Sequence, residues 1–166
     1  DTIIETQVGT VALHDPTTVA IKVGRKHLYD THENSGLGHI ACASCHADAR
    51  MDRLGWDLGD PSGAMKAFDQ NCLTGILVQG CEDFHPMKGP MTTQTLQDIV
   101  GHEPFHWRGD RDGLEEFAGA FVSLQGGDAP PSAAEMAAFE AFLATIAIPP
   151  NPFRGPDDAL PTSLPL

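Results

Sequence analysis

Cys42, Cys45 and His46 stand together in "GHIACASCHADARMD", residues 38 to 52, with the spacing C-x-x-C-H. Each residue type has a chemical task at that spacing. Two thiols separated by two residues can add to the two vinyl groups of a haem as thioethers. The imidazole beside the second thiol then becomes the proximal ligand of the iron. Two other chemistries use paired thiols. A thioredoxin-like redox pair needs an alternating strand and helix pattern that this chain lacks. A zinc site would have to recruit Cys72, Cys81 or further histidines, and no second close C-x-x-C pair supports it. The motif therefore predicts one covalently attached haem c. Cys72 and Cys81 make no second attachment motif and are expected to close a short loop as a disulfide, contributing about 2.5–3 kcal/mol in the chain-entropy model. Free thiols are the alternative.

Elements on either side must position the motif. Asp15 followed by Pro16 is an N-cap and first-turn signal, which predicts a helix over "PTTVAIKVGRKHLYD" to about Asp30. Val19, Val23 and Leu28, with Ala20 and Gly24, would form its apolar face. Gly24 in mid-helix costs roughly 1 kcal/mol against Ala, so close helix packing is the expected reason for it. "THENSGLGH" reads as a turn-rich loop leading into a short helix that carries the cysteines. "WDLGDPSG" and "QGCEDFHPMKGP" are loops, and "TTQTLQDIV" predicts a brief helix. Asp110 is expected to cap "RDGLEEFAGAFVSLQGG", where Leu114, Phe117, Phe121 and Leu124 recur on one side. Ser132 with Glu135 makes a capping box for "SAAEMAAFEAFLATIA", in which Met136, Phe139, Leu143 and Ile146 follow helical spacing. The proline-rich stretch after Ile148 cannot continue that helix. Residues 1–148 are thus expected to form one domain, with its core over about 16–148, and 149–166 an arm or linker.

Composition bounds what such a domain can meet. The 166 residues carry 23 acidic against 10 basic side chains, a formal charge of −13. Nucleic acid is excluded as a partner, because phosphate binding needs Lys and Arg to displace counterions. A redox partner with a basic docking patch fits, its attraction weakened by salt; acidity for solubility alone is the other reading. Abundant Gly and Pro with scarce Tyr and Trp point to helices joined by long irregular loops. No apolar run reaches transmembrane length. The first residue is Asp1 rather than Met, so a mature form or an excised domain of a larger protein is expected. Haem-bound or oxidised cysteines imply a periplasmic or extracellular setting.

In order along the chain, "GRKHLYD", "SGLG", "CASCH", "KGPMTTQTL", "EPFHWRGD", "LEEF" and "EMAAFEAFL" resemble the haem domains of the bacterial di-haem cytochrome c peroxidase superfamily. That family shows a Gly-Arg-x-Leu-Phe-x-Asp helix before its C-x-x-C-H, then a "TPTLRN" segment, a "PYxHDG" turn and "LxxLVxFL" in a final helix. The resemblance runs over roughly residues 20 to 148. It implies a mainly α, class-I-like cytochrome c fold whose N- and C-terminal helices cross over the haem, with Gly24 meeting the Phe139–Leu143 face. Single-haem domains of this kind are often appended to larger extracytoplasmic proteins. The chain also departs from the enzymes. It has one haem motif where the peroxidases have two, and Phe121 stands where their electron-transfer domain offers a distal Met. These departures point to electron transfer rather than catalysis. A peroxidase-like haem with an exchangeable sixth site, or a redox or gas sensor, is the alternative.

The sixth iron ligand must come from elsewhere in the chain. Met91 is the first choice, because it follows Gly-Pro in a polar loop and directly precedes the segment similar to "TPTLRN", which passes the haem edge in the family. Met87 is the second choice. His85, His102 and His106, or an open iron, remain. Met136 and Met65 read as core or surface, and Met51 lies too close behind His46 to reach the opposite face. His14, His27, His32 and His39 read as solvated or structural. By resemblance Arg108 would hold a haem propionate; pairing with Asp110 or Asp112 is its other reading. Trp107 and Trp56 are expected as pocket walls. Calcium at Asp57 and Asp60 lacks a regular ligand spacing, and no Ser-His-Asp cluster, P-loop or H-E-x-x-H supports non-haem catalysis.

Overall fold

A computed structural model describes residues 9–65, 67, 83, 85–155, 157 and 159. The expected Cys72–Cys81 disulfide lies outside the described residues. The chain is mainly helix and irregular loop, with one small sheet. Helix α1 spans Val19–Tyr29, α2 Thr31–Asn34, α3 Ala120–Ser123 and α4 Ala133–Leu143. Strands β1, Gly55–Trp56, and β2, Met91–Thr92, pair antiparallel with Gly55 opposite Thr92 and Trp56 opposite Met91.

The first helix begins later than the Asp15-Pro16 signal implies. Thr18 is its N-cap, and its side chain accepts from the Ile21 N–H at 3.4 Å. Asp15 instead accepts from the Thr17 N–H and pairs with Lys22 at 2.8 Å. Of the expected face Gly24 and Leu28 are buried, joined by His27, whereas Val19 and Ala20 are exposed and Val23 is half-buried. His27 takes an interior place because its polar edge is satisfied. His27 Nδ1 bonds Asn34 Oδ1 at 3.2 Å, while the Asn34 amide donates to the carbonyls of Lys26 and Asp30. A buried histidine with such a partner costs little, and its ring packs edge-on against Phe121.

The second long helix follows the sequence closely. Ser132 and Glu135 close the capping box, and Met136, Phe139 and Leu143 are buried, joined by Phe142. Helix α1 packs on α4 at Gly24, where an added Cβ would collide with the Ala138 carbonyl oxygen and lie 2.8 Å from Phe142 Cβ. One core gathers Leu28, Ala49, Phe105, Leu114, Phe121, Met136, Phe139, Phe142 and Leu143. Ala49 links that core to the cysteine motif, and Cys42 and Ala43 pack against it.

The stretch between Asp110 and Gly127 is less regular than its periodicity suggests. A single 3-10 turn covers Leu114–Phe117 before α3, its cap is Gly113 without a side-chain bond, and Leu124 is exposed. Asp110 does not cap it, being drawn into a hydrogen bond with His106 and an ion pair with Arg111. Among the described residues no helix is long and apolar enough to cross a membrane.

Candidate haem-attachment site

The motif sits in a 3-10 turn, Cys42–Ser44, rather than an α-helix. Cys45 follows as its C-cap, three residues from Cys42, the spacing at which side chains of a 3-10 turn eclipse. The N–H groups of Cys45 and His46 both donate to the Cys42 carbonyl, at 3.2 and 2.9 Å. Ser44 Oγ accepts from the Ala41 N–H at 3.0 Å and fixes the entry. Beyond His46 the backbone is tightly folded. Asp48, Ala49 and Arg53 all have left-handed φ, at 53°, 56° and 61°. Such residues persist only where surroundings over-determine them. Here the Ala49 carbonyl accepts from the Leu96 N–H at 2.8 Å and from the Thr95 hydroxyl at 3.4 Å.

Those bonds belong to an irregular strap, residues 93–98, that ends in a turn with Asp98 at φ 56°, where the sequence predicts a brief helix. Its donors are consumed by distant carbonyls, Leu96 by Ala49 and Asp98 by Ile146 at 2.7 Å, so no helical ladder forms. The strap also supplies the decisive contact. The Gln94 carbonyl lies 2.8 Å from His46 Nδ1. A carbonyl only accepts, so Nδ1 carries the proton and Nε2 keeps its lone pair. Burial holds the imidazole below its ordinary pKa against the opposing effect of its hydrogen bonds to the Gln94 and Arg50 backbone. His46 is therefore neutral near pH 7 and oriented, with its proton on Nδ1.

The thiols are not poised for redox chemistry. Cys42 and Cys45 are not joined to each other. Burial pushes the Cys42 thiol up to about 11, and burial with the Asp52 charge raises Cys45. A reactive thioredoxin-like thiol needs the opposite shift. The Gln125 amide N–H donates to Cys42 Sγ at 3.4 Å, while its buried Oε1 has no partner. A thioether sulfur, which only accepts, keeps that contact. Gln125 is placed by two glycine loops. Gly36 N–H donates to the Gln125 carbonyl at 3.2 Å, and a Cβ on Gly36 would strike the Gly126 carbonyl oxygen.

Met91, Met87, Trp107 and Arg108 lie on segments joined to one another by the sheet and by two side-chain hydrogen bonds. Met91 is half-buried in β2 opposite Trp56. The Trp107 indole N–H donates to the Thr92 carbonyl at 2.8 Å, yet Trp107 is 60% exposed. Arg108 Nη2 donates to the Met87 carbonyl at 3.3 Å, and Met87 is 57% exposed. Met136 is in the core, whereas Met51 and Met65 are exposed. Phe121 is buried against His27 and Phe139. Among the described residues no three His, Cys, Asp or Glu side chains converge as a metal cluster.

The candidate histidines differ in a way the sequence does not show. His85 Nδ1 accepts from the Met87 N–H at 3.0 Å, which occupies its lone pair. His102 is exposed near Asp98. His106 bonds the Asp110 carboxylate through Nδ1 at 2.9 Å, leaving Nε2 as its acceptor, and sits at φ 66°. Its ring packs edge-on against Phe117 at 4.8 Å. Burial holds His106 below its ordinary pKa despite Asp110. The unfolded chain then binds the extra proton first, so stability falls as pH drops below about 6.5. Denaturant midpoints should decline from about pH 7.5 to about pH 5.5, and His106→Gln should flatten that decline. An unchanged slope would show that the fold does not hold the imidazole neutral.

No family model matches the chain, and no curated protein does. One solved structure shares its fold. It is a hydrazine synthase from Kuenenia stuttgartiensis, studied under 20 bar of xenon, with a TM-score of 0.54 and 17% identity. The match covers 98% of this chain and 53% of that one, so the chain spans about half the length of its structural neighbour.

The residues present fit a covalently held haem. Two protonated thiols and a neutral, oriented imidazole share one turn. Beside it, Leu54, Trp56, Leu58, Met87 and Trp107 leave large apolar surfaces exposed, on segments tied together through β1 and β2.

Proposed function

We propose that this chain is a mono-haem cytochrome c domain that passes single electrons outside the cytoplasm. Cys42 and Cys45 would hold the haem, His46 would ligate iron through Nε2, and Met91 would be the distal ligand. The observation that carries this reading is the 2.8 Å bond from His46 Nδ1–H to the Gln94 carbonyl, which leaves Nε2 free in a C-x-x-C-H turn. The haem supplies the one-electron couple when bound. The protein's own share is to fix the imidazole, to cover the ring with Trp56 and Trp107, and to place Arg108 toward a propionate. The net charge of −13 suits a partner with a basic face.

Optical spectra of the oxidised and reduced protein test the proposal. With Met91 and His46 both held as ligands the iron would have no open site, so the wild type should be low-spin, show the weak near-infrared Met-to-iron band, and bind carbon monoxide poorly. Met91→Ala should erase the band, lower the potential and open the reduced iron to carbon monoxide, whereas Met87→Ala should do much less. Loss of the low-spin state in His106→Ala, with Met91→Ala silent, would assign a second imidazole instead. A wild type that is high-spin, binds carbon monoxide readily and turns over peroxide would replace the electron-transfer reading with the peroxidase-like one.

A further inference from the structure

We propose that Asp52 is a positioning residue for the proximal ligand: it anchors the strap that carries the Gln94 carbonyl and sets a negative charge beside His46, lowering the haem's reduction potential. The inference rests on the haem reading above. The Asp52 carboxylate is shared three ways. Oδ1 accepts from the Leu54 N–H at 2.9 Å and from the Thr93 hydroxyl at 2.8 Å, and Oδ2 accepts from the Trp56 indole N–H at 2.7 Å. Thr93 immediately precedes Gln94, and its own N–H donates to the Leu54 carbonyl at 3.3 Å. One side chain thus clasps the exit of the motif, strand β1 and the strap behind His46.

The charge sits one residue from the acceptor of His46: Thr93, whose hydroxyl donates to Asp52 Oδ1, immediately precedes Gln94, whose carbonyl accepts from His46 Nδ1. The hydrogen bond from Leu54, with those from Trp56 and Thr93, holds the Asp52 carboxyl below its ordinary range and keeps it ionised. Negative charge near the ring stabilises the oxidised iron, and a firmly bonded Nδ1–H makes the imidazole a stronger donor. Both effects act in one direction.

Potentiometric titration of the haem-loaded protein tests this. Asp52→Asn keeps an oxygen for Leu54 and Thr93 but loses the charge, and it should move the midpoint to a more positive value. The expected change in the one-electron equilibrium is several-fold to about tenfold, tenfold being ~59 mV. Because Asp52 is only partly buried, added salt should shrink the shift. Asp52→Glu retains the charge and should stay nearer the wild type. Thr93→Val leaves the charge but cuts the tie to the strap, and it should shift the midpoint the same way by less. An unmoved or more negative midpoint in Asp52→Asn overturns the proposal, and an unmoved Thr93→Val overturns the positioning role. If Asp52→Asn does not fold, Thr93→Val decides alone. Acid–acetone retention of haem, measured on the same samples, reports on the haem reading separately. A wild type without covalent haem overturns both, whereas a loaded protein with an unmoved potential overturns only the role of Asp52.

Discussion

Haem should stay with the wild-type polypeptide through acid–acetone extraction, and the double variant Cys42→Ala with Cys45→Ala should lose all of it. The expected effect is all-or-none, because a thioether survives denaturation and an axial bond alone does not. Each single variant should retain haem through one remaining bond, distinguishable by the haemochrome band in alkaline pyridine. The expectation follows from the state of the thiols as well as from their spacing. Burial keeps Cys42 protonated, with its pKa near 11, and Cys45 is raised too, so neither is activated as a redox nucleophile or a ready metal thiolate. A protonated thiol held at a 3-10 turn suits addition to a vinyl group. Complete extraction of haem from the wild type would sink the covalent reading, and stoichiometric zinc in that sample would establish its rival.

What the sequence conveys about this site is local, and what it conceals is tertiary. The Ser132–Glu135 capping box depends on residues three apart and stands as read, while the C-x-x-C-H motif, expected on a short helix, begins in a 3-10 turn. The strap over 93–98 reads as a helix because "TTQTLQDIV" has no breaker. Its donors nevertheless go to Ala49 and Ile146, partners 47 and 48 residues away, which no window around the strap contains. Asp110 carries the composition of a helix cap, yet His106 and Arg111 claim it, since a charge held close to a buried carboxylate outweighs a capping bond. His27 looked like a surface or structural residue. Its burial depends on Asn34, whose own amide is anchored by the end of α1. The Gln94 carbonyl behind His46 has no side-chain signature at all, because any residue there offers the same atom.

Gly24→Ala should destabilise the protein by about 2–4 kcal/mol, the reverse of what helix propensity alone predicts. In an open helix, Gly→Ala gains roughly 0.5–1 kcal/mol by restricting the unfolded chain. At Gly24 the new methyl would occupy the position of the Ala138 carbonyl oxygen and press on Phe142 Cβ, both on α4. A backbone oxygen cannot swing aside as a side chain can, so α1 and α4 must separate. That separation opens the interface holding Leu28 and Leu143, the two large side chains most completely removed from solvent among the described residues. Overpacking and lost burial then add, and the melting temperature should fall by roughly 5–15 °C for a chain of this size. Gly119→Ala is the matched control. It has nothing within 4 Å of its added Cβ and already has right-handed backbone at φ −63° and ψ −24°, so it should be neutral or slightly stabilising. Equal melting temperatures for the two variants would show that the helices do not meet at Gly24. A destabilised Gly24→Ala with an intact Gly119→Ala would place the closest approach of the two helices at a residue whose only qualification is the atom it lacks.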